Sequence, residues 1–296
     1  MRAPALQRWL GRIPAYLLLT LCSALLLFPL YVTVVDSLHP IEELVRTPPP
    51  PLWPSDPQWK NYFSGGGAIA DTSRPCHLFN RDGVEVAPFT CYLANSLVMA
   101  TIVTVGQLVT AALAAYAFAF LRFPGRTLLF LVFLATMMVP LEVAIIPNFQ
   151  TIQWLGWMDS YQGLVAPFLA TGFGTFLLRQ YFLSIPGELR DAAEMDGYGH
   201  LRFLLFVVVP LARGALATLA VFAFLQAWNQ YLWPLLVTND PDLRTVQIGV
   251  ASEAQNLRNI NVAFAGTVIS FLPMLLLVVA FQRYLVRGLL GGAVKG

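Results

Sequence analysis

Long apolar runs separated by short polar stretches set the pattern along this chain. A helix needs about 20 mostly apolar residues to cross the hydrocarbon core of a bilayer. Six segments meet that length: 14–35, 93–121, 127–149, 161–183, 203–234 and 261–285. The first follows Arg2, Arg8 and Arg12, which gives it the outline of a signal peptide. It is too long for a cleaved apolar region and no small-residue cleavage site follows, so it reads as a retained first helix. The pattern predicts an all-α integral membrane protein of six transmembrane helices.

Polar residues between the runs predict the orientation, because Lys and Arg accumulate in short cytoplasmic connections. One side carries Arg2, Arg8, Arg12, Arg122, Arg126, Arg179, Arg190, Arg202, Arg283, Arg287 and Lys295. On the other side the short connections hold only Arg244 and Arg258. The long connection 36–92, with Arg46, Lys60, Arg74 and Arg81, weighs little in this rule. Both termini, 1–13 and 286–296, are expected in the cytoplasm. Residues 36–92 then form an external loop, and 93–285 a five-span core with a cytoplasmic connection at 186–202.

Composition agrees with this class. Hydrophobic residues make up 57% and charged residues 11%, against about 25% charged in a soluble domain. Mean hydropathy is +0.65. The net charge of +2 gives no reason to expect a nucleic-acid partner. In the external loop, prolines 48–51, Trp53-Pro54, Asp56-Pro57 and glycines 65–67 predict an irregular ordered segment with short helical pieces. Trp53, Trp59, Tyr62 and Phe63 suit the outer membrane interface, or alternatively the docking of a partner.

Three cysteines are present, Cys22 in an apolar run and Cys76 and Cys91 in the external loop. A zinc site needs about four ligands at characteristic spacings, so no metal site is expected. Outside the cytoplasm a Cys76–Cys91 disulfide is chemically allowed, with two free thiols as the alternative. His39, His77 and His200 lie far apart in topology and give no metal or catalytic set.

The most informative polar stretch runs from Pro186 to Pro210. Pro186 suits the first turn of a helix, and Glu188 and Asp191 place negative charge near its positive end. Leu189, Ala192, Ala193 and Asp196 recur at three- and four-residue spacing with small residues at the centre. Gly197 permits positive φ at the C-terminus, and a second helix is expected from near His200 into the fifth span. The only lysines, Lys60 and Lys295, follow Trp59 and Val294, so no phosphate-binding P-loop is present.

This segment resembles the coupling loop, or EAA loop, of ABC importer permeases. That pattern is Glu-Ala-Ala, three residues, Gly, nine residues, then Ile-x-Leu-Pro. Asp191-Ala192-Ala193, Gly197 and Val207, Val209 and Pro210 occupy the corresponding positions. Phe28-Pro29-Leu30-Tyr31, Asn95-Ser96, Phe123-Pro124-Gly125-Arg126, Asp159-Ser160-Tyr161, the run from Trp228 to Pro234 and the end Gln282 to Leu289 are similar to the carbohydrate-uptake branch. Within it the likeness is to the smaller membrane subunit of the maltose and glycerol-3-phosphate importers. The resemblance implies a type I importer permease fold in the cell (inner) membrane. Glu188, Asp191, Ala192, Ala193, Asp196 and Gly197 would dock on an ATPase, and small side chains there would admit a close approach. It further implies a second, non-identical permease subunit, two ATPase subunits, which carry ATP and Mg, and an external solute-binding protein. The chain itself would bind no cofactor and would not be an enzyme. The cargo would be a sugar or a glycerol-3-phosphate-like solute.

Polar groups inside spans are costly and face protein or water. Glu142 and Asn148 lie beside Pro140 and Pro147, which are expected to interrupt the third span. Asn229, Gln230, Tyr231 and Trp233 lie towards the end of the fifth. These residues are candidates to line a path for a hydroxyl-rich solute. Interhelical hydrogen bonding, or an aromatic belt for Tyr231 and Trp233, is the alternative. A self-contained secondary transporter would need internal repeats and intramembrane carboxylates, and a membrane-embedded enzyme a convergent catalytic set. Only Glu142 offers itself to the first, and nothing to the second.

Overall fold

The computed structural model describes residues 13–46, 49–63, 67–69, 74–75, 85–86, 88–255 and 260–293. Arg2, Arg8, Arg12, Cys76, His77, Arg81, Arg258 and Lys295 lie outside the described residues.

The first helix, α1 (Ile13–Asp36), has apolar side chains on every face, and Leu17, Leu21, Leu25 and Leu26 are all exposed. Its 24 residues span about 36 Å at 1.5 Å per residue, enough for a hydrocarbon core of about 30 Å. The segment after it contains α2 (Ile41–Arg46), α3 (Lys60–Phe63) and a two-residue antiparallel ladder, β1 (Arg74–Pro75) against β2 (Glu85–Val86). Helical pieces were expected there; the ladder was not. Trp53, Trp59 and Phe63 are exposed, whereas Tyr62 turns inward, bonds the Ser37 hydroxyl and packs on the core.

The central post is α4 (Pro88–Phe120). Around it stand α5 (Arg126–Thr136), α6 (Leu141–Trp154), α7 (Tyr161–Val165), α8 (Gly172–Phe182), α9 (Gly187–Met195), α10 (His200–Phe203), α11 (Val209–Leu211), α12 (Arg213–Trp228), α13 (Leu232–Val237), α14 (Val246–Ala254) and α15 (Ile260–Ala293). Small residues bring α8 against α4: a Cβ on Gly174 would meet the Ala111 Cβ at 3.1 Å. Such close backbone approach is how apolar helices associate where the hydrophobic effect between them is absent.

Among the described residues three helices are long and apolar enough to cross a membrane, Pro14–Asp36, Phe89–Phe120 and Ile260–Gln282, and up to five if each bent pair counts as one span. The expected third and fifth spans are not continuous helices. The third breaks at residues 137–140 into α5 and α6, because Pro140 lacks an N–H and drives the preceding residue out of helical conformation. Pro147, also expected to interrupt, stays inside α6. The fifth bends by 82° between His200–Leu211 and Arg213–Trp228. A π-helical turn at Leu204–Val208 and Pro210 precede the bend, and both are recognised causes of a kink. A second bend, of 46°, separates Tyr161–Phe168 from Gly172–Phe182.

Two apolar clusters form the main core. One surrounds the N-terminal half of α4 with Tyr92, Met99, Leu164, Phe224 and Trp228. The other surrounds its C-terminal half with Tyr116, Leu178, Phe182, Ala193 and Phe203.

Candidate coupling helix and solute path

Helix α9 begins after Pro186, which takes the N-cap position with φ −58° and ψ 137°, and it carries Glu188 in its first turn. Its end is a Schellman motif: the Tyr198 N–H donates to the Ala193 carbonyl at 2.8 Å and the Gly197 N–H to the Glu194 carbonyl at 3.1 Å. Gly197 sits at φ +76°, and a Cβ there would meet nothing within 4 Å. Only the left-handed backbone, not crowding, therefore demands glycine at this turn.

Glu188, Asp191, Ala192, Met195, Asp196 and Gly197 are exposed. Ala193 is not: it is 7% exposed and packs in the cluster with Tyr116 and Phe203. Its expected place on a docking face is corrected accordingly, because the face of α9 that carries Ala193 is the one turned to α4. The outward stripe is Glu188, Asp191, Ala192 and Met195, at helical spacings of three and four. Met195 is 90% exposed. The sequence reading passed over it, although this spacing was available to find it.

Behind α9 the C-terminus of α4 is collared by guanidinium groups. Arg190 Nη1 donates to the Phe120 carbonyl at 2.9 Å, Arg179 Nε to the Phe118 carbonyl at 3.2 Å and Arg126 Nη1 to the Leu121 carbonyl at 3.1 Å. Carbonyls at a helix C-terminus lack partners within the helix and carry the negative end of its dipole. Arg179 also lies 4.0 Å over the Phe130 ring.

At the other end of α4, Asn95 Nδ2 donates to the carbonyls of Asp242 at 2.7 Å and Arg244 at 3.0 Å. Asn95 Oδ1 accepts from the Tyr161 hydroxyl at 2.6 Å, and Ser96 Oγ accepts from the Val246 N–H at 2.8 Å. Asp159, at φ 52°, accepts from the backbone N–H groups of Asn239 and Asp240. Partial burial would raise its carboxyl, but these backbone donors hold it below the usual carboxylate range. In the preceding segment, buried Asn61 donates to the carbonyls of Ser37 and His39 and accepts from Asn261.

The solute-path candidates separate in the structure. Glu142 is exposed in the first turn of α6 and Asn148 is half-buried further along it. Asn229 and Tyr231 are exposed at the break between α12 and α13, and Asn229 Nδ2 donates back to the Leu225 carbonyl at 2.9 Å. Gln230 keeps a buried Oε1 that no described residue satisfies, as is true of Trp228 Nε1 and Thr245 Oγ1. Trp233 departs from the expectation. It is 3% exposed, its Nε1 donates to the Gly163 carbonyl at 3.2 Å, and its ring meets Phe168 edge-on. Packing with Phe149 and Ile152 of α6 places it in the core between elements, not on a path.

Cys22 is a free, exposed thiol and Cys91 is disulfide-bonded. Among the described residues no three His, Cys, Asp or Glu side chains stand close enough to hold a metal ion.

The model of a protein family described as "Binding-protein-dependent transport system inner membrane component" matches residues 107–291. The sn-glycerol-3-phosphate transport system permease protein UgpE of Yersinia enterocolitica is 37% identical over 278 residues, which are 93% of this chain and 94% of that protein. Its namesake in Brucella abortus is 36% identical over 290 residues, 96% of this chain and 97% of that protein. A solved bacterial ABC transporter involved in the import of the acidic polysaccharide alginate overlays with TM-score 0.77 at 23% identity, across 96% of this chain and 99% of the matched one. A second alginate ABC transporter structure, in complex with a pentasaccharide-bound periplasmic protein, overlays with TM-score 0.62 at 13% identity, across 94% of each chain. These two likenesses establish the fold, that of an ABC importer permease, around the helix and collar described above. The chain belongs to the binding-protein-dependent transport system inner membrane components, and is an inner-membrane permease subunit of an ABC importer, not an enzyme.

Proposed function

We propose that this permease subunit imports sn-glycerol 3-phosphate or a closely related polyol phosphate. A second, non-identical permease subunit would share the path. Two ATPase subunits binding ATP and Mg would drive it, and an external solute-binding protein would deliver the cargo. The cargo reading rests on identity of 36–39% to glycerol-3-phosphate permeases over most of the chain. The coupling reading rests on one observation: α9 presents the outward stripe Glu188, Asp191, Ala192 and Met195, with Asp196 and Gly197 at its exposed turn. Both termini and α9 would lie in the cytoplasm, the broken helices counting among six spans, and residues 36–92 would lie outside. Glu142, Asn148, Asn229, Gln230 and Tyr231 remain the candidates for the path, with Trp233 behind them as packing. Cys76 is the candidate partner of Cys91, which an oxidising exterior would allow.

Cysteine crosslinking from Ala192 and Met195 in native membranes tests the coupling reading. Capture of a nucleotide-hydrolysing subunit is expected from both positions, and none from Ala193. Failure of both outward positions, or labelling of α9 only from the exterior, would overturn it. Equilibrium binding of sn-glycerol 3-phosphate to the cognate solute-binding protein tests the cargo, and affinity for disaccharides alone would reject it.

A further inference from the structure

Helix α9 touches the body of the protein sparingly. Ala193 is its only buried residue. Between it and α4 lies a cavity of about 190 Å³, lined by Tyr116, Arg190, Ala193, Glu194, Tyr198 and His200 among others. A displaced helix transmits force only through the contacts that cross or border such a gap, here the Ala193 packing and the polar ties beside it. Two polar ties span it. The Tyr116 hydroxyl meets His200 Nδ1 at 3.1 Å, from α10. Arg190 Nη1 reaches the Phe120 carbonyl at 2.9 Å, from α9 itself. Glu194, one turn on, holds Arg190 Nε at 2.8 Å and so orients the guanidinium towards α4. Of the three arginines on the α4 terminus, Arg179 comes from α8 and Arg126 from α5. Only Arg190 belongs to the helix expected to move.

We propose that Arg190 is a positioning residue that carries the displacement of α9 to the C-terminal end of α4 through the Phe120 carbonyl. The inference rests on the coupling reading above and deepens it. It separates two functions within α9: the outward stripe receives the partner, and Arg190 on the inward side passes the motion on. Arginine suits this role because its fork serves Phe120 and Glu194 at once. Methionine keeps most of the stem and none of the donors, and lysine keeps a cation without the fork.

The test uses the full permease complex, with Cys22 replaced by Ser and spin labels at Leu189 on α9, outside the docking stripe, and Leu113 on α4, both exposed. The label separation is measured by pulsed electron resonance without nucleotide and after ATP–vanadate trapping. With Arg190 the separation should stay constant, since the two elements move as one. In Arg190→Met it should change by several ångströms, with loss of uptake and with the ATPase still bound and hydrolysing. Arg190→Lys should restore part of both. A purely structural arginine would instead lower the amount of complex and leave the separation constant on trapping. Constant separation in Arg190→Met, or a change already present with Arg190, overturns the proposal. If Arg190→Met does not assemble, Arg190→Lys decides, and a separation and uptake identical to those of the Arg190 complex would count against it. Absence of any ATPase from the complex with Arg190 intact is seen before a variant is compared, and sinks the coupling reading together with this one.

Discussion

The two ends of α4 are held by opposite kinds of chemistry. At the N-terminal end the holding groups are neutral and buried: Asn95 and Ser96 are 1% and 2% exposed and bind backbone groups of the α13–α14 connection. A buried amide that loses its partner recovers no hydrogen bond from water, so such a set is stiff. At the C-terminal end the holding groups are guanidiniums that come from three separate elements, one of them a helix with a single buried residue beside a cavity. Contacts that water can reach break and reform at small cost. On the coupling reading proposed above, one helix would be a fixed post at one end and a receiver at the other. Substitutions at the first end should cost stability, and substitutions at the second should cost transport.

The largest effect is expected at Trp233. Replacing a buried Trp by Ala costs about 3–5 kcal/mol, so Trp233→Ala should sharply lower the thermal midpoint of the purified protein. Tyr231→Ala, at a position 40% exposed, should leave stability within about 0.5 kcal/mol and affect uptake alone if it lines the path. A Trp233 variant of unchanged stability would contradict its place in the core. Next comes Asn95→Ala, which removes two hydrogen bonds and leaves the Tyr161 hydroxyl without its acceptor. A loss of about 1–3 kcal/mol is expected, with transport per folded molecule largely kept.

At the receiving end, Gly197→Val should do the reverse. A non-glycine residue in left-handed conformation costs about 1–2 kcal/mol, and a β-branched one is the least suited. The cost falls on an exposed turn, so the chain should still insert and melt near its usual temperature while uptake is lost. Gly197→Asn, which tolerates this backbone, should keep most of the uptake. Retained uptake in the valine variant would separate the Schellman turn from coupling.

Most helices were legible in the sequence, and the breaks only in part. The long apolar runs of α1, α4 and α15 form helices close to where run length places them. Pro140 and Pro147 looked alike in the sequence, yet one ends a helix and the other does not. Local pattern cannot separate them, because a helix continues or stops according to what packs beside it. Ala192 and Ala193 were equally good small residues; Tyr116 and Phe203, brought near by the fold, turn one of them inward. Trp233 sat next to a run of amides and read as a lining residue, but its partner is the Gly163 carbonyl, contributed by a distant segment. The arginine collar was hidden for the same reason. Its acceptors are main-chain carbonyls, which no residue type announces.

The smallest expected effect concerns acid, and it separates the segment after α1 from the C-terminal end of α4. Glu43 in α2 accepts from the Ser55 hydroxyl and lies 2.6 Å from His39 Nδ1, while His39 Nε2 donates to the Pro51 carbonyl at 3.0 Å. The Ser55 and His39 contacts hold the Glu43 carboxyl below its ordinary value. A carboxylate shifted down on folding stabilises the fold fully above its unfolded pKa, and that contribution disappears as pH falls through the lowered folded value. Hydrogen-exchange protection of residues 36–63 should therefore hold from neutral pH down to the ordinary Glu value of about 4.3 and decline below it. Glu43→Gln should remove that step. The contacts of Arg179 and Arg126 with the Phe118 and Leu121 carbonyls contain no carboxylate, so protection at the end of α4 should not follow the same curve. Equal loss at both places over the same interval would mean that acid loosens the whole molecule rather than the Glu43 contact.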